Sequence, residues 1–232
     1  MGKSIGIIQP GKIGDIIILL PAAKYYHDRG YKVYWPIYDT YIDMFREVIE
    51  YVDFLPVTNN VYTCINEAYS KLKEKSVTNI KDVAATFPDS TSTEEYVRLG
   101  DGLTQNFDIF KYNILDVPID EKWNFSIKRD TLKENSVYQK LVKNNKYAVV
   151  NLKHSMGVVN ANLDFGSGQV IYVNEEYNLF HWLTVLEKAT TIALVDSAMS
   201  NLVEQMNINC KKILFTKHDK RLPVLKNEWK IV

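Results

Sequence analysis

Apolar positions along the first third of the chain switch repeatedly between two periods. Ile5, Ile7 and Ile8 form a short run that reads as a buried strand, closed by Gln9-Pro10-Gly11. A helix is expected from near Asp15, with Ile16, Leu19, Leu20 and Ala23 at helical spacing. Tyr31 to Ile37 reads as a second strand and Val52 to Val57 as a third. Between and after them, two helical stripes stand out: Tyr41, Met44, Phe45, Val48 and Ile49, then Val61, Ile65, Ala68, Tyr69 and Leu72. Strands alternating with amphipathic helices at this pitch predict parallel βαβ units. In such folds ligands sit at the carboxyl ends of the strands.

The middle is less regular. Asp82 to Phe87 is a candidate strand, residues 89–95 an exposed loop, and Phe107 to Leu115 a helix. From Lys128 to Lys146 the chain is charged and polar, as expected of a linker carrying a surface helix. A second α/β block follows, with strands at Tyr147–Leu152, Val170–Val173, Ile192–Val195 and Lys212–Phe215. Its helical stripes are Leu179, Trp182, Leu183, Leu186 and then Met199, Leu202, Val203, Met206. The whole reads as an α/β protein of two Rossmann-like lobes with a cleft between them. The lobes are expected at 1–125 and 146–232, joined through 126–145.

Composition narrows the class. Of 232 residues, 46% are hydrophobic and 12% aromatic, which excludes disorder as the main state. Twenty-eight basic residues balance 28 acidic ones, so no overall field draws the chain to nucleic acid or anionic lipid. One local exception is the tail: between Lys211 and Lys230, seven Lys and Arg face only Asp219 and Glu228. A solvated face is the usual reading of such a run, and a phosphate-facing one the alternative. Cys64 and Cys210 have no ligand spacing, so neither a disulfide framework nor a zinc site is expected. No apolar run is long enough to span a bilayer, and no signal sequence is recognisable, which predicts a cytoplasmic protein.

Chemistry concentrates at strand-to-helix junctions. The loop Gln9-Pro10-Gly11-Lys12-Ile13-Gly14-Asp15 joins the first strand to its helix, where backbone N–H groups and the helix dipole favour anions. Gly11 and Gly14 permit close backbone approach or positive φ, and Lys12 adds a cation. A phosphate-binding P-loop would run from Gly6 to Lys12, but Ile13 lacks the magnesium-binding hydroxyl and Gly6 falls inside the strand. A dinucleotide fingerprint is only half present, as Gly11-x-x-Gly14. Asp15 has two readings: a helix N-cap, or a general base.

The segment Lys12 to Ala22 (Lys-Ile-Gly-Asp-Ile-Ile-Ile-Leu-Leu-Pro-Ala), followed by Tyr31-Lys-Val-Tyr-Trp-Pro36, resembles the N-terminus of the ADP-heptose heptosyltransferases. Ile192 to Leu202 is similar to that family's donor motif, Asp-[Ser/Thr]-Gly-x-x-His-Leu, near the C-terminus. Ala198 stands where the family has glycine and Asn201 where it often has histidine. The resemblance covers about residues 1–60 and 145–216. It implies a GT-B fold and a metal-independent, inverting transfer of sugar from a nucleotide-diphosphate donor, with no further cofactor. It makes Asp15 the base and places Gly11, Lys12 and Gly14 on the acceptor side. Lys153, Ser155, Asp196 and Ser197 fall around the donor phosphates and Glu175 at the ribose. His154 and His181 are given no role. The chain is short for the family and shows no terminal helix crossing back to the first lobe. Such compaction resembles bacteriophage-type relatives, for which the acceptor is a glycan or a hydroxylated DNA base. The alternative is a non-catalytic nucleotide or nucleotide-sugar binding module.

Overall fold

In a computed structural model of the protein, the described residues are 2–84, 106–154, 157–161, 165–166, 168–206, 208–216 and 223–232. They divide into two units. One comprises Met1–Lys128 with Lys220–Val224, the other Arg129–Asp219 with Leu225–Val232.

The first unit is built on four parallel strands: β1 (Ser4–Ile8), β2 (Lys32–Tyr38), β3 (Asp53–Val57) and β4 (Ile80–Asp82). Their order is β3-β2-β1-β4, with Ile5 beside Val33 and Ile7 beside Lys81. The pleat sends successive side chains to opposite faces. Gly6 and Ile8 face α3 (Cys64–Glu74), and a Cβ on Gly6 would stand 2.6 Å from Leu72 Cδ1. Gly6 is therefore a packing residue inside β1, which removes the P-loop reading. Between β2 and β3 the chain makes a 3-10 turn (Asp39–Tyr41) and the short helix α2 (Ile42–Arg46). The helical stripe expected from Val61 starts later, because Val61 and Tyr62 are exposed ahead of α3.

Helix α1 (Ile13–Asp28) begins two residues earlier than its period suggests and continues through Pro21. Residues 16–23 are all buried, so this helix is apolar all round, as a core helix is. Helix α4 (Phe107–Ile114) packs on it: the Tyr112 hydroxyl donates to Ile18 O (2.9 Å), and Tyr26 donates to Leu115 O. A second 3-10 turn (Ile119–Trp123) carries Lys122, whose ammonium is buried against Asp108 Oδ2 at 2.6 Å. Residues 89–95, expected as a loop, lie outside the described residues, as does the end of the strand expected from Asp82.

The second unit has five parallel strands: β5 (Tyr147–Asn151), β8 (Gln169–Tyr172), β9 (Thr191–Val195), β10 (Lys211–Phe215) and β11 (Lys230–Ile231), in the order β11-β10-β9-β5-β8. Two residues each of β6 (Lys153–His154) and β7 (Gly157–Val158) form an antiparallel pair beside it. Alternation again splits the core. Tyr147, Val149, Ile192 and Leu194 face one cluster with Trp182 and Val185; Val150, Ala193 and Val195 face the other with Phe215. Helix α5 (Thr131–Leu141) occupies much of the segment read as linker, and Val137 enters the core of the second unit. Its Glu134 is buried yet satisfied, accepting from Arg129 Nε (2.9 Å) and the Thr184 hydroxyl (2.8 Å). A third 3-10 turn (Leu179–Trp182), α6 (Leu183–Glu187) and α7 (Ala198–Gln205) complete the unit.

The described residues at the end of the chain make specific polar contacts in both units. Residues Lys220–Val224 belong to the first unit and the following eight to the second. Within the first unit, Val224 N–H donates to Asp108 Oδ2 (2.9 Å), and its carbonyl accepts from Lys122 Nζ (2.6 Å). Within the second, buried Glu204 accepts from Asn227 N–H (3.0 Å) and Trp229 Nε1 (2.7 Å), feeding the chain into β11. Lys212 is buried and donates to Ile208 O at 2.6 Å, so it does not belong to a solvated basic face.

Candidate functional site

In each sheet the order of strands reverses at one point, and the crevice outside the carboxyl ends there is where open α/β sheets bind ligands. In the first unit the reversal lies at β1, flanked by β2 on one side and β4 on the other. The loop at its carboxyl end is Gln9–Lys12. Trp35 Nε1 donates to Gln9 O (3.2 Å), and Tyr38 N–H donates to Pro10 O (2.9 Å), pinning the loop to β2.

Gly11 is a close-approach glycine: a Cβ there would lie 2.5 Å from Tyr38 Cε2 and 2.9 Å from its hydroxyl. Burial pushes that phenol up to about 12, with Cys64 beside it adding to the shift. Positive φ falls on Lys12 (60°), not on a glycine, and Gly14 lies within the first turn of α1. Of the two uses expected of these glycines, Gly11 shows the close approach, leaving room for a ring, while positive φ falls on a lysine.

Asp15 is also resolved as to capping. The N-cap of α1 is Lys12, whose side chain makes no capping bond, and Asp15 stands three residues later in the first turn. There its charge favours the helix dipole, but the carboxylate is turned to other partners. Asp15 Oδ2 lies 3.6 Å from Lys111 Nζ and 3.5 Å from Gln9 Nε2, with the side chain 21% exposed. Gln9 is buried; its Nε2 also donates to Gly11 O (2.9 Å), and its Oε1 accepts from Lys111. Lys111 comes from α4, is fully buried, and has Val83 O at 3.5 Å. Burial holds its ammonium below the usual lysine range, opposed by the neighbouring Asp15 carboxylate.

Sequence reading missed Gln9 and Lys111. The only local signal is that Lys111 sits between Phe110 and Tyr112, both buried, in an otherwise apolar turn.

The second unit reverses between β5 and β9, where Asn151 pairs with Leu194. Lys153 follows β5 and Asp196 follows β9, so both stand at that carboxyl edge; Glu175 follows β8. Lys153 Nζ is engaged with Glu175 Oε1 at 2.7 Å, and the pair is open to solvent, with side chains 70% and 87% exposed. The ammonium and its hydrogen bond hold the Glu175 carboxyl below the usual range.

Asp196 is exposed, and its N–H donates to Phe215 O (3.1 Å). Ser197 is the N-cap of α7. Ser200 Oγ accepts from Ser197 N–H (2.9 Å) and donates to Ser197 O (2.8 Å). Asn201, standing where the resembling family often has histidine, is buried in α7. Ser155 lies outside the described residues. Among the described residues no group of three or more His, Cys, Asp or Glu is placed to hold a metal ion, and no helix is long and apolar enough to cross a membrane.

Two parallel α/β units, each with a reversal in its strand order, are of the GT-B class of fold. Solved structures agree. The chain is similar to a glycosyl transferase family 9 protein from Veillonella parvula DSM 2008, with a TM-score of 0.63 and 10% identity. That match covers 99% of this chain and 85% of the other. It is similar to the E. coli ADP-heptose lipopolysaccharide heptosyltransferase II, with a TM-score of 0.60 and 11% identity over 99% and 90% of the two chains. It is also similar to E. coli heptosyltransferase WaaC with ADP-2-deoxy-2-fluoro heptose, with a TM-score of 0.52 and 13% identity over 99% and 92%. No family model matches the chain, and no curated protein matches it in sequence.

Proposed function

We propose that the protein is a glycosyltransferase that moves a sugar from a nucleotide-diphosphate donor to an acceptor hydroxyl. The observation that carries this reading is the Asp15 carboxylate: it is partly exposed, at the carboxyl end of the reversal strand, and not used as a cap. A carboxylate so held can take the proton of an acceptor hydroxyl as its oxygen attacks the anomeric carbon. The bond to the nucleoside diphosphate then breaks on the opposite face, and the configuration inverts. No metal and no further cofactor enter this reading. Gly11, Lys12 and Gly14 border the acceptor, a glycan or a hydroxylated DNA base. Asp196, Ser197 and the α7 N-terminus receive the donor phosphates with Lys153 and Ser155, and Glu175 meets the ribose. The structural neighbours that are heptosyltransferases, one of them with an ADP-sugar, support the donor class.

Asp15→Asn tests it. The amide keeps shape and one oxygen, so the fold and donor affinity should persist, while turnover drops by about two to four orders of magnitude. Turnover close to the wild type on the true acceptor would end the catalytic reading. A nucleotide-sugar binding module is the second reading, for which Ala198 and Asn201 speak, the two positions where the donor motif departs from that of the resembling family. Donor binding with no transfer to any hydroxyl acceptor, in wild type and Asp15→Asn alike, would support the module.

A further inference from the structure

We infer that Lys111 is a positioning residue that orients the Asp15 carboxylate, an assignment that rests on the reading of Asp15 as the base. An unpaired buried ammonium is strongly disfavoured, so a fully buried lysine at a reversal strand needs a reason to be there. Its partners supply one. Nζ bonds Gln9 Oε1, lies 3.5 Å from Val83 O and stands 3.6 Å from Asp15 Oδ2. Val83 follows β4 and Gln9 follows β1, so the ammonium sits between the carboxyl ends of the two strands that meet at the reversal.

Gln9 locks the arrangement from the other side. One amide group reads both residues, its oxygen taking the lysine and its nitrogen turned to the aspartate. Asp15 thereby has one side facing protein and one side open. The charged groups facing Lys111 are Asp15, with Asp82 at the end of β4 and Lys12 in the loop; the two carboxylates favour its ammonium and Lys12 opposes it.

A titration tests the assignment without any substrate. An opposite charge this close favours the charged form of its partner by about one to three pH units. Asp15→Asn should therefore lower the Lys111 ¹³Cε titration midpoint by that amount, since the ammonium loses the carboxylate that favours it. The Lys111 resonance is identified by its loss in Lys111→Met.

In transfer assays, Lys111→Met should lower kcat by about 10²-fold, as a misplaced catalytic group does, with donor KM little changed, and Lys111→Arg should restore most of it. An unmoved Lys111 midpoint in Asp15→Asn, or a wild-type kcat in a folded Lys111→Met, would overturn the assignment. Full turnover in Asp15→Asn would instead remove the base reading and leave the measured coupling intact.

Discussion

The pair Asp108–Lys122 offers the clearest energetic test of how the first unit is held. Both side chains are essentially inaccessible, at 0% and 1%, and Nζ–Oδ2 is 2.6 Å. Asp108 also accepts from Val224 N–H and, through Oδ1, from Ile109 N–H at 3.0 Å, while Lys122 donates to Val224 O. Asp108→Ala would leave a buried ammonium with one carbonyl, and the Val224 amide without its acceptor, while Ile109 N–H keeps Asn106 O at 3.0 Å. Breaking a buried pair from one side costs about 3–5 kcal/mol, a large part of a typical domain's stability of about 5–15 kcal/mol. Replacing both residues together, as Asp108→Leu with Lys122→Met, removes the stranded charge. Only the unmet N–H and C=O of Val224 then remain, at about 1–3 kcal/mol each before relaxation or hydration, since Ile109 N–H keeps Asn106 O. The double variant should therefore be clearly less damaged than the sum of its singles. Urea unfolding followed by the fluorescence of Trp35 and Trp123, both in the first unit, measures each corner of the cycle. Hydrogen exchange at the Val224 amide should accelerate in Asp108→Ala before global unfolding does. A loss below about 1 kcal/mol for Asp108→Ala, or strict additivity of the two changes, would refute the claim that this charge is desolvated and shared with the Val224 backbone.

Two further outcomes follow from close contacts. Gly11→Ala puts a methyl group into the Tyr38 ring and should lower stability by about 1–3 kcal/mol, as overpacking does; an unchanged thermal midpoint would show that the ring moves freely. Glu204→Ala removes the acceptor for Trp229 Nε1 and the Asn227 amide, at about 1.5–3 kcal/mol for each charge-assisted bond. Trp229 emission should shift to the red and become quenchable by acrylamide, and wild-type quenching in that variant would deny the clamp.

Local pattern determined much of this protein. The runs at Ile5–Ile8, Tyr147–Leu152 and Ile192–Val195 become central strands because a parallel strand, covered on both faces, must be apolar throughout. Helix α7 and the loop ahead of Asp15 were legible for the same reason: burial of one element writes itself into its own few residues. Even the residues at both reversal points, Asp15 and Asp196, could be found by their position after a strand.

Tertiary structure decided the rest, and what it decided is polar and distant in sequence. Lys111 meets Gln9 across 102 positions, and Lys122 meets Val224 across the same span. A lysine in a sequence reads as surface, because burying it is favourable only when partners from other elements arrive together. The same logic separates Asp15 the cap from Asp15 the partner of a buried cation. Both occupy the start of α1, and only the arrival of α4 beside it distinguishes them. Periodicity records which face of an element is dry; which charges meet on that dry side depends on long-range packing that no local spacing encodes.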